Sequence, residues 1–191
     1  MVTIRHERPL DVAAREALLD LCFGASRRAK TSERLREGRL PWLALVAVER
    51  GRVIGTVQLW QVSAGPDRPA LLLGPLAVGA CHRNRGIGSA LVERAIGAAQ
   101  AGGQREMLLV GDAPYYGRFG FSAACTGKLA MPGPFEPARL LSLALAPDAT
   151  EATDLVTPTG PVAAPAAATA APLPALAARR SRRRPALPRA A

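Results

Sequence analysis

A pair of glycines between an apolar run and an alanine-rich run constrains the fold more than any other feature. The apolar run "ALLLGPLAV" (residues 70–78) is typical of a central strand covered on both faces. Pro75 within it cannot donate to a ladder and predicts broken pairing on one side. After "HRNRGIGS", apolar and alanine residues at helical spacing predict a helix from about Gly88 to Ala101, which "GG" ends. A strand, a glycine loop and a helix therefore follow one another directly.

The glycine loop has the chemistry of an anion site. The first N–H groups of a helix lack partners and carry partial positive charge, and glycines let an anion approach them closely. Arg83 and Arg85 add full charges. Neither nucleotide fingerprint fits, because Leu91 stands where G-x-G-x-x-G needs its third glycine and the loop lacks the G-K-[ST] of a P-loop. The loop is a candidate phosphate cradle of another kind.

The other segments predict a sheet with few helices. "WLALVAVE" and "RVIGTVQLW" are β-like runs on either side of Arg50 and Gly51, so we expect a hairpin there. Asp11 is placed to cap a first helix. Also expected are a strand in "VTIR", the helix "VAAREALLDLCF", a short helix around residues 32–37, a buried strand "REMLLVGD", one or two helical turns in "APYYGRFGF" and a last strand from Arg139 to Ala146.

Composition divides the chain into a predicted domain, residues 1–149, and a tail, residues 150–191. The tail consists mainly of Ala, Pro, Thr and Gly followed by "RRSRRRP", and cannot bury enough apolar surface to offset the entropy of ordering. We therefore expect it to be disordered. From Pro161 to the end there are six arginines and no Asp, Glu or Lys, so residues 1–160 carry only four of the ten net positive charges and are mildly basic.

The cysteines and the hydropathy pattern predict the surroundings of the protein. Cys22, Cys81 and Cys125 are far apart and lack metal-ligand spacing, which favours a reducing cytoplasm, no disulfide framework and no metal. "MVTIRHERPL" carries charges where a signal peptide would be apolar. No apolar run approaches the roughly 20 residues of a membrane span. We expect a soluble, cytoplasmic protein that makes no use of a membrane.

Three motifs in order resemble the GNAT superfamily of acetyl-CoA-dependent N-acetyltransferases. "RNRGIG" fits R/Q-x-x-G-x-G/A, its pyrophosphate-binding motif, "GPLAV" is similar to its central strand, and "YGRFGF" (residues 116–121) is similar to its Y-x-[KR]-x-G-F signature. The longer pattern "LGPLAV…RGIGSALV…GDAPYYGRFGF" resembles the YhbS-like group of predicted N-acetyltransferases. The resemblance implies an α+β fold with a mixed, mostly antiparallel sheet, flanking helices and splayed central strands. It also implies acetyl-CoA as the acyl donor.

The resemblance also assigns roles to residues. The strand backbone would align pantetheine, an N–H near Val78 would bind the oxyanion, and Tyr116 would be the general acid that protonates the thiolate. Tyr115 is the rival for that role, and packing beside Phe119 and Phe121 is the alternative for Tyr116. The residues expected to bind the cofactor are Leu76, Ala77, Val78, Arg83, Asn84, Arg85, Gly86, Ile87, Gly88, Ser89 and Ala90.

Several functional questions stay open at the level of sequence. Asp112, Glu49 and His82 can be nominated as a general base, but Asp112 more naturally caps a turn and Glu49 is expected to be solvated. The amine acceptor is unspecified, although a basic segment from Gly24 to Pro41 favours an acidic one if it is not simply solvated. A catalytically weak acyl-CoA sensor, a homodimer, and nucleic-acid contact through the basic tail alone remain alternatives.

Overall fold

The computed structural model describes residues 1–147 and 153–163. Nine strands and four α-helices are found in these ranges. The strands are β1 (Val2–His6), β2 (Leu43–Glu49), β3 (Arg52–Ser63), β4 (Pro69–Val78), β5 (Glu106–Val110), β6 (Lys128–Ala130), β7 (Leu140–Ala144), β8 (Thr153–Leu155) and β9 (Thr157–Pro158). The helices are α1 (Val12–Phe23), α2 (Thr31–Arg34), α3 (Ile87–Ala101) and α4 (Ala113–Gly117).

The main sheet is mixed and mostly antiparallel, as predicted. Its strands lie in the order β1-β2-β3-β4-β5-β7, with β9 pairing to β3, and only β4 and β5 run parallel among these neighbours. The predicted hairpin joins β2 to β3 through Arg50 and Gly51. Both residues have positive φ, 49° and 76°, the combination that matches the right-handed twist of two strands joined by a tight turn.

The sheet splays between β4 and β5. These strands pair only at Leu71 with Met107 and Leu72 with Leu108, although β4 continues to Val78. On its other side, β4 carries Gly74 and Pro75 opposite the single residue Gln58 of β3, which is a β-bulge. The interruption predicted from Pro75 is therefore confirmed, and the last residues of β4 have a free edge toward β5.

Each face of the sheet carries its own apolar layer. On one face, α3 inserts Ile87, Leu91, Val92, Ala95 and Ala99 against side chains of β2 to β5. On the other face, Leu18 and Leu19 of α1 pack on Ala77. Trp60, Val62 and Leu72 of that face pack with Leu35, Leu108 and Val156. The cleft described below lies at the end of the splay, where both layers stop.

The structure differs from the sequence prediction at residues 153–163, which are ordered against the fold. β8 pairs in parallel with β6, β9 pairs with Val62 and Ser63 of β3, and Val156 between them is completely buried. Val156 and the two short strand pairings hold this segment. The prediction missed it because it rested on the average composition of the tail, which is rich in Ala and Pro. The predicted disorder of residues 164–191 lies outside the described residues.

Hydropathy adds one observation to the fold. Within residues 1–147 and 153–163, no helix combines the length and the apolarity that crossing a bilayer requires.

Candidate active site

The glycine loop is shaped by two residues in the left-handed region. Asn84 has φ 61° and Gly86 has φ 74°, a conformation that glycine adopts without cost and asparagine tolerates. These turns bring the chain from the end of β4 to Ile87, the first residue of α3. Gly86 is therefore needed for its backbone conformation.

The loop presents a row of backbone N–H groups. Among the described residues, no backbone carbonyl accepts a hydrogen bond from the amides of residues 84–89. The N–H of Ala90, which we expected among the free donors, instead donates to the Gly86 carbonyl at 3.0 Å. The available donors thus belong to the loop and the first turn of α3, where the helix dipole favours an anion.

These donors border an open cleft of about 610 Å³, called here the cofactor cleft. Nine of the eleven predicted cofactor-binding residues line it: Leu76, Ala77, Val78, Arg83, Asn84, Gly86, Ile87, Gly88 and Ser89. Arg85 and Ala90 do not. His82, which precedes the loop, lines the cleft as well, as do three residues to which sequence reasoning gave no cofactor-binding role: Cys22, Tyr115 and Arg118. The "YGRFGF" motif contains Arg118 and was the signal that could have identified it.

The side chain of Arg85 is directed to Glu49 and not into the cofactor cleft. Its two terminal nitrogens donate to the Glu49 carboxylate at 2.7 and 3.2 Å. These hydrogen bonds raise the pKa of Arg85 and lower that of Glu49. His82 Nε2 also lies 3.6 Å from this carboxylate. Glu49 is therefore a half-buried partner of the loop, and the expectation of a solvated Glu49 is wrong.

Gly88 makes room for Tyr115. A Cβ placed on Gly88 would lie 2.8 Å from the Tyr115 hydroxyl oxygen and 3.7 Å from Val78 Cγ2. The Arg118 guanidinium lies over the Tyr115 ring, 4.5 Å from its centre, a distance at which a cation is attracted to the ring face. Tyr115 and Arg118 thus form the wall of the cofactor cleft opposite the glycine loop.

Tyr116 faces a different space. It lines a cavity of about 110 Å³, called here the Tyr116 cavity, together with Pro75, Leu76, Val110, Arg27 and Arg36 among others. Its ring covers Gly111 so closely that no Cβ would fit there. Burial raises the pKa of Tyr116 to about 12. The phenol is therefore protonated at all physiological pH values.

The free edge of β4 connects the two spaces, because Leu76 lines both. Successive strand residues direct their N–H groups to opposite edges. Since the Gly79 N–H donates to Ile54 on β3 at 2.9 Å, the Val78 N–H points away from β3 toward the free edge. The Val78 carbonyl faces the cofactor cleft as well, 3.6 Å from Cys22 Sγ and 3.5 Å from Arg83 Nε.

The three nominated bases have other partners or surroundings. Asp112 caps α4 and accepts from the Tyr115 N–H at 3.3 Å, as expected. Glu49 is held by Arg85. His82 lines the cofactor cleft. The structure therefore adds no reason to prefer one of them as the base.

A splayed sheet whose free edge runs past a glycine loop defines a class of acyl-transferring enzymes, and sequence comparison identifies the family. The family profile described as acetyltransferase (GNAT) domain matches residues 41–123. A relative from Escherichia coli K12 named uncharacterized N-acetyltransferase YhbS is 35% identical over 123 residues, which are 63% of this chain and 74% of the relative. The chain belongs to the GNAT family of acetyltransferases.

Two solved structures give the same result. The YhbS GNAT N-acetyltransferase from Escherichia coli, in complex with CoA, superposes with a TM-score of 0.72 at 32% identity and covers 83% of this chain and 89% of its own. A GNAT acetyltransferase from Brucella melitensis, in complex with acetyl-CoA, superposes with a TM-score of 0.62 at 28% identity, covering 87% and 97%. The predicted GNAT fold and the assignment as an acyltransferase enzyme are confirmed.

Proposed function

We propose that this enzyme transfers the acetyl group of acetyl-CoA to a primary amine, by direct attack within a ternary complex. One observation carries the proposal. The free edge of β4 joins the cofactor cleft to the Tyr116 cavity, with Leu76 in the wall of both. Acetyl-CoA bound in the cofactor cleft would place its thioester along this edge, and an amine would reach the thioester from the Tyr116 cavity. The relatives crystallised with CoA and acetyl-CoA support the choice of donor.

The cofactor cleft would hold the pyrophosphate mainly with its backbone. The amides of residues 84–89 are free of backbone acceptors among the described residues, and the start of α3 adds the helix dipole. Arg83 and Arg118 line the same space and supply full charges. Arg85 contributes its amide only, because its guanidinium is paired with Glu49. Pantetheine would extend along residues 76–78.

The chemical step follows from these positions. The amine nitrogen uses its lone pair to attack the thioester carbon, and the carbonyl oxygen becomes an oxyanion that the Val78 N–H can stabilise. The tetrahedral intermediate collapses, the C–S bond breaks, and the electron pair leaves on the CoA sulfur. Tyr116 donates its phenolic proton to that thiolate. The amine loses its extra proton to water, so no side chain is assigned as the base.

Calorimetric titration of the full chain with acetyl-CoA tests the donor, with NAD and ATP as controls. Micromolar binding that neither control reproduces is the expected result. A thiol-release assay with a panel of amines then tests the transfer. Binding without thiol release for any amine would favour the acyl-CoA sensor, and absence of binding would remove the acetyltransferase proposal altogether.

A further inference from the structure

A second, smaller cavity lies behind the Tyr116 cavity, on the α1 face of the sheet. It measures about 90 Å³ and is called here the Gln58 cavity. It shares Pro75, Arg27, Glu33 and Arg36 with the Tyr116 cavity, so the two spaces are separated by a few side chains at most. Its other lining residues are Arg15, Glu16, Leu19, Gln58 and Trp60.

Gln58 is a buried polar side chain without a partner. It is 2% exposed, and its Nε2 makes no hydrogen bond to any described residue. It lies opposite the bulge at Gly74 and Pro75, where β4 bends away from β3. A buried amide without a partner is destabilising, so an orphan donor that lines a cavity favours a bound group that accepts hydrogen bonds.

Arg36 offers a second donor to the same cavity. Only 8% of this residue is exposed. Its Nη2 donates to Glu33 at 2.7 Å and its Nε to the Ser32 carbonyl at 3.1 Å. Among the described residues Nη1 has no acceptor. Burial lowers the pKa of Arg36, and the Glu33 carboxylate opposes this shift.

The arginines that line the cavity are all paired. Their partners are the carboxylates of Glu7, Glu16, Asp20 and Glu33, so the cavity carries no excess positive charge. What it offers to a ligand is hydrogen-bond donors, namely Gln58 Nε2 and Arg36 Nη1.

We propose that the Gln58 cavity binds a carboxylate carried by the amine acceptor, so that the substrate is a short amino acid with its amine and carboxylate at opposite ends. Two donors on an arginine and an amide match the two oxygens of a carboxylate. The cavity is small, about 90 Å³, which suits a compact group such as a carboxylate. The amine would extend back into the Tyr116 cavity, toward Leu76. This inference rests on the proposed acetyl transfer.

A series of four-carbon amines tests the inference in the full chain with acetyl-CoA. The series comprises 4-aminobutyrate, its amide 4-aminobutanamide, n-butylamine and putrescine, which differ only at the end remote from the reacting nitrogen. We expect kcat/KM for 4-aminobutyrate to exceed that of the other three at least tenfold, equivalent to about 1.4 kcal/mol. Equal values across the series would overturn the inference while leaving acetyl transfer intact.

Gln58→Leu supplies the matched variant, because leucine is close to glutamine in size and needs no partner. We expect its Tm to equal or exceed that of the wild type, and its preference for 4-aminobutyrate to disappear while its rate with n-butylamine is kept. Gln100→Leu, on the exposed surface of α3, should change nothing. An unchanged preference in Gln58→Leu would count against the site.

A binding measurement separates this inference from the proposed function. Butyrate carries the carboxylate without the amine, and its binding, followed by ligand-observed NMR, does not depend on catalysis. Binding to the wild type that is lost in Gln58→Leu supports the carboxylate site even if no amine is acetylated. If neither butyrate nor 4-aminobutyrate binds, the inference fails even if acetyl-CoA binds and reacts.

Discussion

The cofactor cleft and the Gln58 cavity both adjoin the last residues of β4, yet they are built from different groups. The cofactor cleft is lined by strand backbone, by loop amides and by glycines that give them access. The Gln58 cavity is lined by side chains, chiefly arginines held by carboxylates from α1 and α2. On our proposals, one would recognise its ligand with main-chain groups and the other with side-chain donors.

This difference indicates which residues each of the two spaces can exchange without losing its ligand. Backbone amides are present whatever the residue type, so the cofactor cleft depends on a few conformational requirements, such as positive φ at Gly86. The Gln58 cavity depends on the identity of each side chain, since exchanging one arginine or glutamine changes the charge or the donors directly. Such a division suits enzymes that share one acyl donor and differ in the amine that accepts the acyl group.

The largest effect is expected where the main chain of the cofactor cleft is blocked. Gly88→Glu places a Cβ 2.8 Å from the Tyr115 hydroxyl oxygen and adds a negative charge beside the proposed pyrophosphate. We expect acetyl-CoA affinity to fall about 100-fold or more, equivalent to about 2.7 kcal/mol, as measured by calorimetry. Gly97→Glu is the control. Gly97 lies in the same helix, and a Cβ placed on it would meet no neighbouring atom within 4 Å. Normal binding by Gly88→Glu would remove the loop from cofactor recognition.

Tyr116→Phe should affect chemistry and spare binding. Loss of a positioned general acid typically costs a factor of about 100 or more, and we expect that loss in kcat with an unchanged Kd for acetyl-CoA. Tyr115→Phe is the comparison, since the Tyr115 hydroxyl lies in the cofactor cleft beside Gly88. An unchanged kcat in Tyr116→Phe, with a reduced one in Tyr115→Phe, would transfer the role to Tyr115.

A titration of the tyrosines sharpens the contrast between the two spaces. The chain has two tyrosines, so Tyr115→Phe leaves Tyr116 as the single phenol to follow by ultraviolet absorbance. With its pKa raised to about 12 by burial, Tyr116 should be about 10% ionised at pH 11, whereas an ordinary tyrosine would be about 90% ionised.

The sign of this shift also makes a statement about stability. Unfolding returns the phenol to its ordinary pKa of 10.0. The stability that Tyr116 contributes is therefore complete below pH 10 and is lost as the pH rises toward 12. Guanidinium-unfolded protein is the control and should titrate near 10. A midpoint near 10 in the folded protein would show that water reaches the ring.

The smallest effect is expected from releasing Arg85. Glu49→Gln removes the negative charge that holds the guanidinium, so Arg85 becomes free to turn toward the cofactor cleft. We expect acetyl-CoA to bind about two- to threefold more tightly, because the freed guanidinium adds a positive charge near the proposed pyrophosphate site. The gain is small because solvent weakens such a pair, and salt should reduce it further. Glu93→Gln, on the exposed face of α3, changes the net charge equally and should bind as the wild type does.

The sequence predicted the geometry around the glycine loop well because its signals are local. A strand, two glycines and a helix lie within about 30 residues, and positive φ at Gly86 or capping by Asp112 requires only near neighbours. The hairpin at Arg50 and the splay at Pro75 were found for the same reason. The direction of the Arg85 side chain could not be found in this way, because its partner Glu49 lies on β2, 36 positions earlier in the chain.

The other side depends on contacts that no local pattern contains. Arg34 donates to the Pro132 carbonyl at 2.7 Å, and the orphan state of Gln58 exists only once α1 and α2 cover the sheet. The order of residues 153–163 is also non-local, since it rests on pairing with β3 and β6. A basic segment was visible in the sequence, but not which of its arginines would be buried.

The segment from residue 153 to 163 has a consequence for the order of biosynthesis. Its backbone pairs with the Gly38–Leu40 loop, through the bonds from Leu40 to Pro161 at 2.9 Å and from Ala163 to Gly38 at 2.8 Å. The residues that line the cofactor cleft end at Arg118. Since the ribosome adds roughly 5–20 residues per second, every residue that lines the cofactor cleft is synthesised some seconds before the segment that pairs with residues 38–40.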